Sequence, residues 1–117
     1  MLAHGALLRK NFFSAAELIA IVRDFRHAGL PEEEVALMAF AQKVTTNAHE
    51  ISDKDVDALR GFGLSDEDIL NVVLTCTART FFSKTLDALD AAPDDVYKEL
   101  EPDLLKVLTI GRPFPPE

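Results

Sequence analysis

Few side chains in this 117-residue chain have both the type and the setting for chemistry: one cysteine, three histidines and several acidic clusters. Cys76 is the only thiol, so the chain can form neither an intramolecular disulfide nor a thiolate zinc cluster. A nucleophilic thiolate wants a helix N-terminus or a cationic neighbour, and some exposure. Arg79 stands three residues on, but Val73, Leu74 and Ala78 flank Cys76. Free cysteine is among the most buried residue types, so that setting favours core packing. His27 falls in the last turn of a predicted helix, where a cation suits the dipole, and His49 falls in a polar loop. Neither has a metal-ligand partner at useful spacing, and no metal or cofactor site is expected. The acids at 32 to 34, 66 to 68 and 94 to 95 read as helix starts rather than catalytic carboxylates. No nucleophile elbow is present. His4 is the remaining candidate, and on spacing alone it is an exposed histidine near a terminus.

The elements that would position these residues are all helical. The organising stretch is Thr45 to Leu89, two helices joined by a tight glycine turn. Ser52 with Asp55 makes a capping box, and Val56, Leu59 and Phe62 share one face. Gly61 and Gly63 end that helix, and Ser65 opens the next with Asp66, Glu67 and Asp68 on its positive end. From Ile69 to Ala78 this second helix is apolar nearly all round, which predicts burial on more than one side.

Upstream, residues 3 to 10 read as the tail of a helix with no cap before Ala3, so the N-terminus is expected to be incomplete. Ser14 and Glu17 form an S-x-x-E box ahead of Leu18, Ile19, Ile21, Val22 and Phe25, and Gly29 stops that helix. Pro31 opens a third helix carrying Val35, Leu37, Met38, Phe40, Ala41 and Val44. Residues 47 to 51 form a loop. After Leu89 a short helix is expected from about Pro93 to Leu100, and another from Pro102, closed by Gly111. The prolines of 111–117 impose an extended tail. No segment alternates with period two. The fold class is therefore all-α, an orthogonal bundle of about five to seven short helices in a single domain over 1–117.

Composition excludes several partners. A net charge of −8 argues against nucleic acid and against an anionic membrane surface. The glycine-joined pair invites a helix-turn-helix reading, but its second helix begins Ser-Asp-Glu-Asp, which would repel phosphate where such helices contact bases. No apolar run is long enough to span a bilayer, and no signal peptide is visible. A cytoplasmic enzyme or interaction module fits.

The residues AFAQKVT, followed by DVDALRGFGLSDEDILNVV, resemble the core of the carboxymuconolactone decarboxylase and alkylhydroperoxidase D superfamily, in its peroxidase-related branch. The resemblance covers roughly residues 3 to 92. It implies an alkylhydroperoxidase D-like all-α fold, association into trimers or hexamers, and an antioxidant oxidoreductase that reduces a hydroperoxide at the expense of a thiol reductant. The family's redox motif is C-x-x-C-x-x-x-H at the start of a helix, with a glutamate upstream. A helix N-terminus lowers the thiol pKa, the attacking thiolate becomes a sulfenic acid, and the paired cysteine resolves it. Met1 to Ala6 match the segment after the second cysteine, with His4 in the place of the motif histidine. Both cysteines and the glutamate are absent, and the family positions near the end of the buried helix are altered to Arg79-Thr80 and Ser83-Lys84. As written, the chain is expected to lack disulfide cycling. Three readings follow: a sequence begun too late, a short relative that keeps the oligomeric scaffold alone, or a decarboxylase-type lyase with His4 as general base.

Overall fold

The computed structural model describes residues 1–111 and 114, and the regular structure among them is entirely helical. Six α-helices follow in order: α1 (Leu2–Asn11), α2 (Ala15–Asp24), α3 (Glu32–Asn47), α4 (Asp53–Gly61), α5 (Asp66–Ala88) and α6 (Pro102–Leu108). Short 3-10 turns lie at Phe25–His27, Ala48–Glu50 and Asp95–Glu99. Most of the extended tail expected over 111–117 lies outside the described residues. None of the described helices is long and apolar enough to cross a membrane.

Three serine–acid pairs set the helix starts, because they occupy amides that a first turn leaves without partners. The Ser14 hydroxyl accepts from the Glu17 amide at 3.2 Å, while the Glu17 carboxylate accepts from the Ser14 amide at 2.7 Å. Ser65 and Asp68 repeat the exchange at 3.1 and 2.8 Å. At Ser52 the third box closes, with Asp55 accepting from both the amide (2.8 Å) and the hydroxyl (2.9 Å).

The chain divides into two compact units, one of residues 1–29 with the segment from 91 onward, the other of residues 30–90. In the first, α1, α2 and α6 enclose Leu2, Leu18, Leu104 and Leu108, with Phe13, Ile19, Val22 and Tyr97 packed around them. Gly5 is buried here, and a Cβ on it would overlap the Leu108 side chain. Arg9 ties α1 to the start of α6, its Nε donating to Glu101 Oε1 at 2.8 Å. The helix expected over 93–100 is only a 3-10 turn. Pro102 holds Glu101 in an extended conformation, ψ 135°, so the two helical pieces cannot merge.

In the second unit, α3, α4 and α5 enclose Phe40, Val44, Leu59 and Ile69. Arg60 braces the glycine turn by donating to Asp57 at 2.8 Å and to Asp66 at 2.9 Å. Only Gly63 takes the left-handed conformation, at φ +92°, whereas Gly61 remains the last residue of α4. Phe62, expected on the apolar face with Val56 and Leu59, is instead the exposed cap residue, because the chain leaves the helix there. The expectation for α5 is also corrected. Ile69 is its one buried residue among those described, since α3 and α4 cover a single face. On the opposite face Leu70, Leu74 and Phe81 are 55%, 54% and 73% exposed.

Candidate functional site

The packing of α3 along α5 leaves a seam with two cavities end to end. On the α3 side, Leu37, Met38, Ala41 and Thr45 recur at three- and four-residue spacing, so they share one face. The first cavity has a volume of about 680 Å³ and is walled mainly by Leu37, Met38, Ala41, Phe62, Leu64 and Val72, with Glu33, Asp68 and Asn71 at its polar margin. The second, about 490 Å³, is lined by Thr45, Arg79, Thr80, Ser83 and Lys84. Thr75 and Cys76 line both. Both are open to solvent along one side rather than enclosed.

The polar groups of the two cavities have opposite character. Asp68 at the first is already occupied as a cap, and the Ser65 amide and hydroxyl hold its carboxyl below the usual range. In the second cavity, three hydroxyls are spent on backbone carbonyls: Thr45 on Ala41 at 2.9 Å, Thr75 on Asn71 at 2.7 Å and Thr80 on Cys76 at 2.9 Å. The donors left are the Arg79 guanidinium, the Lys84 ammonium and the Ser83 hydroxyl. No carboxylate lines this cavity, and among the described residues neither cation is in an ion pair. Arg79 lies 5.5 Å from the Phe82 ring centroid, a long cation–π distance that leaves its N–H edge available.

Cys76 is half-buried where the cavities meet, and burial pushes its thiol up from the ordinary value. It sits in the middle of α5, away from the positive end of the helix. Both features are opposite to those of an activated thiolate. His4 is exposed on α1, in the unit that does not contain Cys76. His27 Nδ1 pairs with Asp24 Oδ2 at 2.6 Å on the surface, and that hydrogen bond lowers the Asp24 pKa. His49 lies 3.8 Å from Glu50. No three His, Cys, Asp or Glu side chains among the described residues are grouped to hold a metal ion.

By sequence alone, Arg79-Thr80 and Ser83-Lys84 register only as departures from a family pattern. A usable signal was present nonetheless. Arg79 has no acid three or four residues away on its own helix, so no local ion pair neutralises it. Comparison of the chain with protein families, with curated proteins and with solved structures gives no match.

Proposed function

We propose that this chain is a non-catalytic helical association module that pairs with further copies of itself through the outer face of α5. The observation that carries the reading is the apolar stripe of Leu70, Leu74 and Phe81, flanked by Phe82 and Leu89, each more than half exposed. Contiguous apolar surface of this kind marks interaction sites. Covering five such side chains returns about 1–2 kcal/mol apiece, given about 1.5–3 kcal/mol for complete burial. Two copies facing each other double that return, which then reaches the roughly 4–15 kcal/mol that association costs in lost freedom. An isologous pairing also supplies the complementary surface without a second protein.

Of the trimer and hexamer implied by the family resemblance, only the hexamer can contain such a two-fold pairing, since a trimer closes through heterologous contacts; a cytoplasmic setting suits a protein with a free thiol. Among the residues of this sequence, hydroperoxide reduction by the same resemblance has only Cys76 to run on. The upward shift of that thiol and its mid-helix position argue against it, so neither peroxide, thiol reductant nor His4 chemistry enters the proposal.

Light scattering with sedimentation on the wild type and on a Leu74→Glu, Phe81→Glu variant tests the reading. The wild type should sediment as an oligomer, and the variant as a monomer with unchanged helical circular dichroism. A wild type that stays monomeric at all concentrations refutes it. Hydroperoxide turnover should be no faster for the wild type than for Cys76→Ser; a faster, Cys76-dependent rate would restore the peroxidase reading.

A further inference from the structure

We propose that the seam between α3 and α5 binds a free long-chain carboxylate, its alkyl chain in the first cavity and its carboxylate between Arg79 and Lys84 in the second. The two cavities adjoin at Thr75 and Cys76, and the surface changes character from one to the other. Leu37, Met38, Ala41, Phe62, Leu64 and Val72 offer an apolar wall with no buried polar group to satisfy. Beyond Thr75 and Cys76, the lining changes to two cations and a free hydroxyl donor. A ligand matching both must be apolar at one end and anionic at the other.

Length agrees as well. From Val72 to Ser83 the α5 side of the groove rises about 16 Å at 1.5 Å per residue, which is the span of an extended medium-to-long alkyl chain. Charge makes the second cavity distinctive. In a chain of net charge −8, two cations without an ion pair among the described residues, beside a cavity without carboxylates, form a local reversal of sign. The threonine hydroxyls do not compete, since Thr45, Thr75 and Thr80 donate to backbone carbonyls of their own helices. Arg79 can present parallel N–H groups to a carboxylate, and Lys84 adds a point charge. A phospholipid surface fits less well, because a headgroup would bring the net negative chain against a broad anionic plane.

Cys76 supplies a reporter. It lines both cavities, so a bound alkyl chain would cover its thiol. The seam occupies the face of α5 opposite Leu70, Leu74 and Phe81, so this proposal and self-association can fail separately.

The experiment measures binding of dodecanoate, below its micelle-forming concentration, by titration calorimetry and by protection of Cys76 from a thiol-alkylating reagent. Dodecanoate should bind the wild type and slow alkylation, and dodecanol should bind more weakly. Arg79→Gln with Lys84→Gln should weaken dodecanoate by about tenfold or more, as loss of charge-assisted hydrogen bonds predicts, and leave dodecanol unchanged. Both cations are exposed, so folding should survive, and circular dichroism checks it. Ala41→Phe, which fills the apolar cavity, should abolish binding of both. Equal affinity for dodecanoate and dodecanol, or binding without protection of Cys76, overturns the proposal. So does binding to phosphatidylglycerol vesicles with none to monomeric dodecanoate.

Discussion

Residues 30–90 build their core from one uninterrupted run of chain, whereas the other unit closes residues 1–29 against the segment from 91 onward. The buried residues reflect that difference. The discontinuous unit buries four leucines and brings α1 close to α6 at Gly5, a fit with no room for a methyl group. The continuous unit buries Phe40, Val44, Leu59 and Ile69, yet keeps two cavities along α3 and α5 and an apolar outer face on α5. The lesson is one of arrangement: the discontinuous unit leaves Leu7, Phe12, Val96 and Ile110 exposed on separate stretches of chain, whereas the continuous one lines Leu70, Leu74 and Phe81 along one helix, which is where a binding role can reside.

The sharpest attempt to break this comparison removes one leucine from each core. Leu59 is 1% exposed and Leu104 0%, so Leu59→Ala and Leu104→Ala should each destabilise by about 2–5 kcal/mol in denaturant titrations. Hydrogen exchange should localise the Leu104→Ala loss to residues 1–29 and 91–111, and the Leu59→Ala loss to 30–90. Uniform loss across the chain in both variants would mean that the two units do not differ energetically.

Two helical glycines give a smaller effect with opposite signs. Gly5→Ala must push Leu108 aside and should cost about 1–3 kcal/mol by overpacking, despite alanine's better helix propensity. Gly61 also lies in a helix but has nothing within 4 Å of the position its Cβ would take. Gly61→Ala should therefore stabilise by about 0.5–1 kcal/mol. Thermal melts of the two variants read the signs directly, and a stabilising Gly5→Ala would remove the claim of tight closure between α1 and α6.

What could be read from the chain beforehand follows the range of the interaction. The starts at Ser14, Ser52 and Ser65 were legible because cap and acid lie three residues apart, and the all-helical class followed from the same local signals. The pairing of Gly5 with Leu108 was not, since 103 residues separate them in the sequence and no local pattern marks either. Burial of α5 was misjudged for a related reason. Apolar composition shows what a helix could bury, but only its neighbours decide how many faces are covered. The same holds for the seam: Cys76, Arg79 and Lys84 were visible as residues, whereas the groove exists only because α3 packs alongside them.

Each unit also carries one ion pair between helices, and in the continuous one it is Lys43 with Asp55. Lys43 Nζ donates to Asp55 Oδ2 at 2.8 Å, joining α3 to α4. That hydrogen bond, with those from the Ser52 amide and hydroxyl, lowers the Asp55 pKa to about 2 from its ordinary value of 3.8. Because the folded carboxyl holds its proton less tightly than the unfolded one, folding is favoured when both are ionised. The contribution is therefore complete above the ordinary value and is lost as pH falls from about 4 through about 2. Asp55→Asn abolishes the titration, so the stability gap between wild type and variant should be widest near neutral pH and close across that acid window. The effect should be the smallest of the three, because the pair is only partly shielded from solvent. Glu101 in the other unit is lowered in the same direction by Arg9, so Glu101→Gln gives the matched control. Chemical denaturation of both variants over a pH series reads the two gaps. An Asp55→Asn gap that stays constant through the acid window would show that the Lys43 contact contributes nothing to folding, and that closure of α3 on α4 rests on Val44, Leu59 and their neighbours alone.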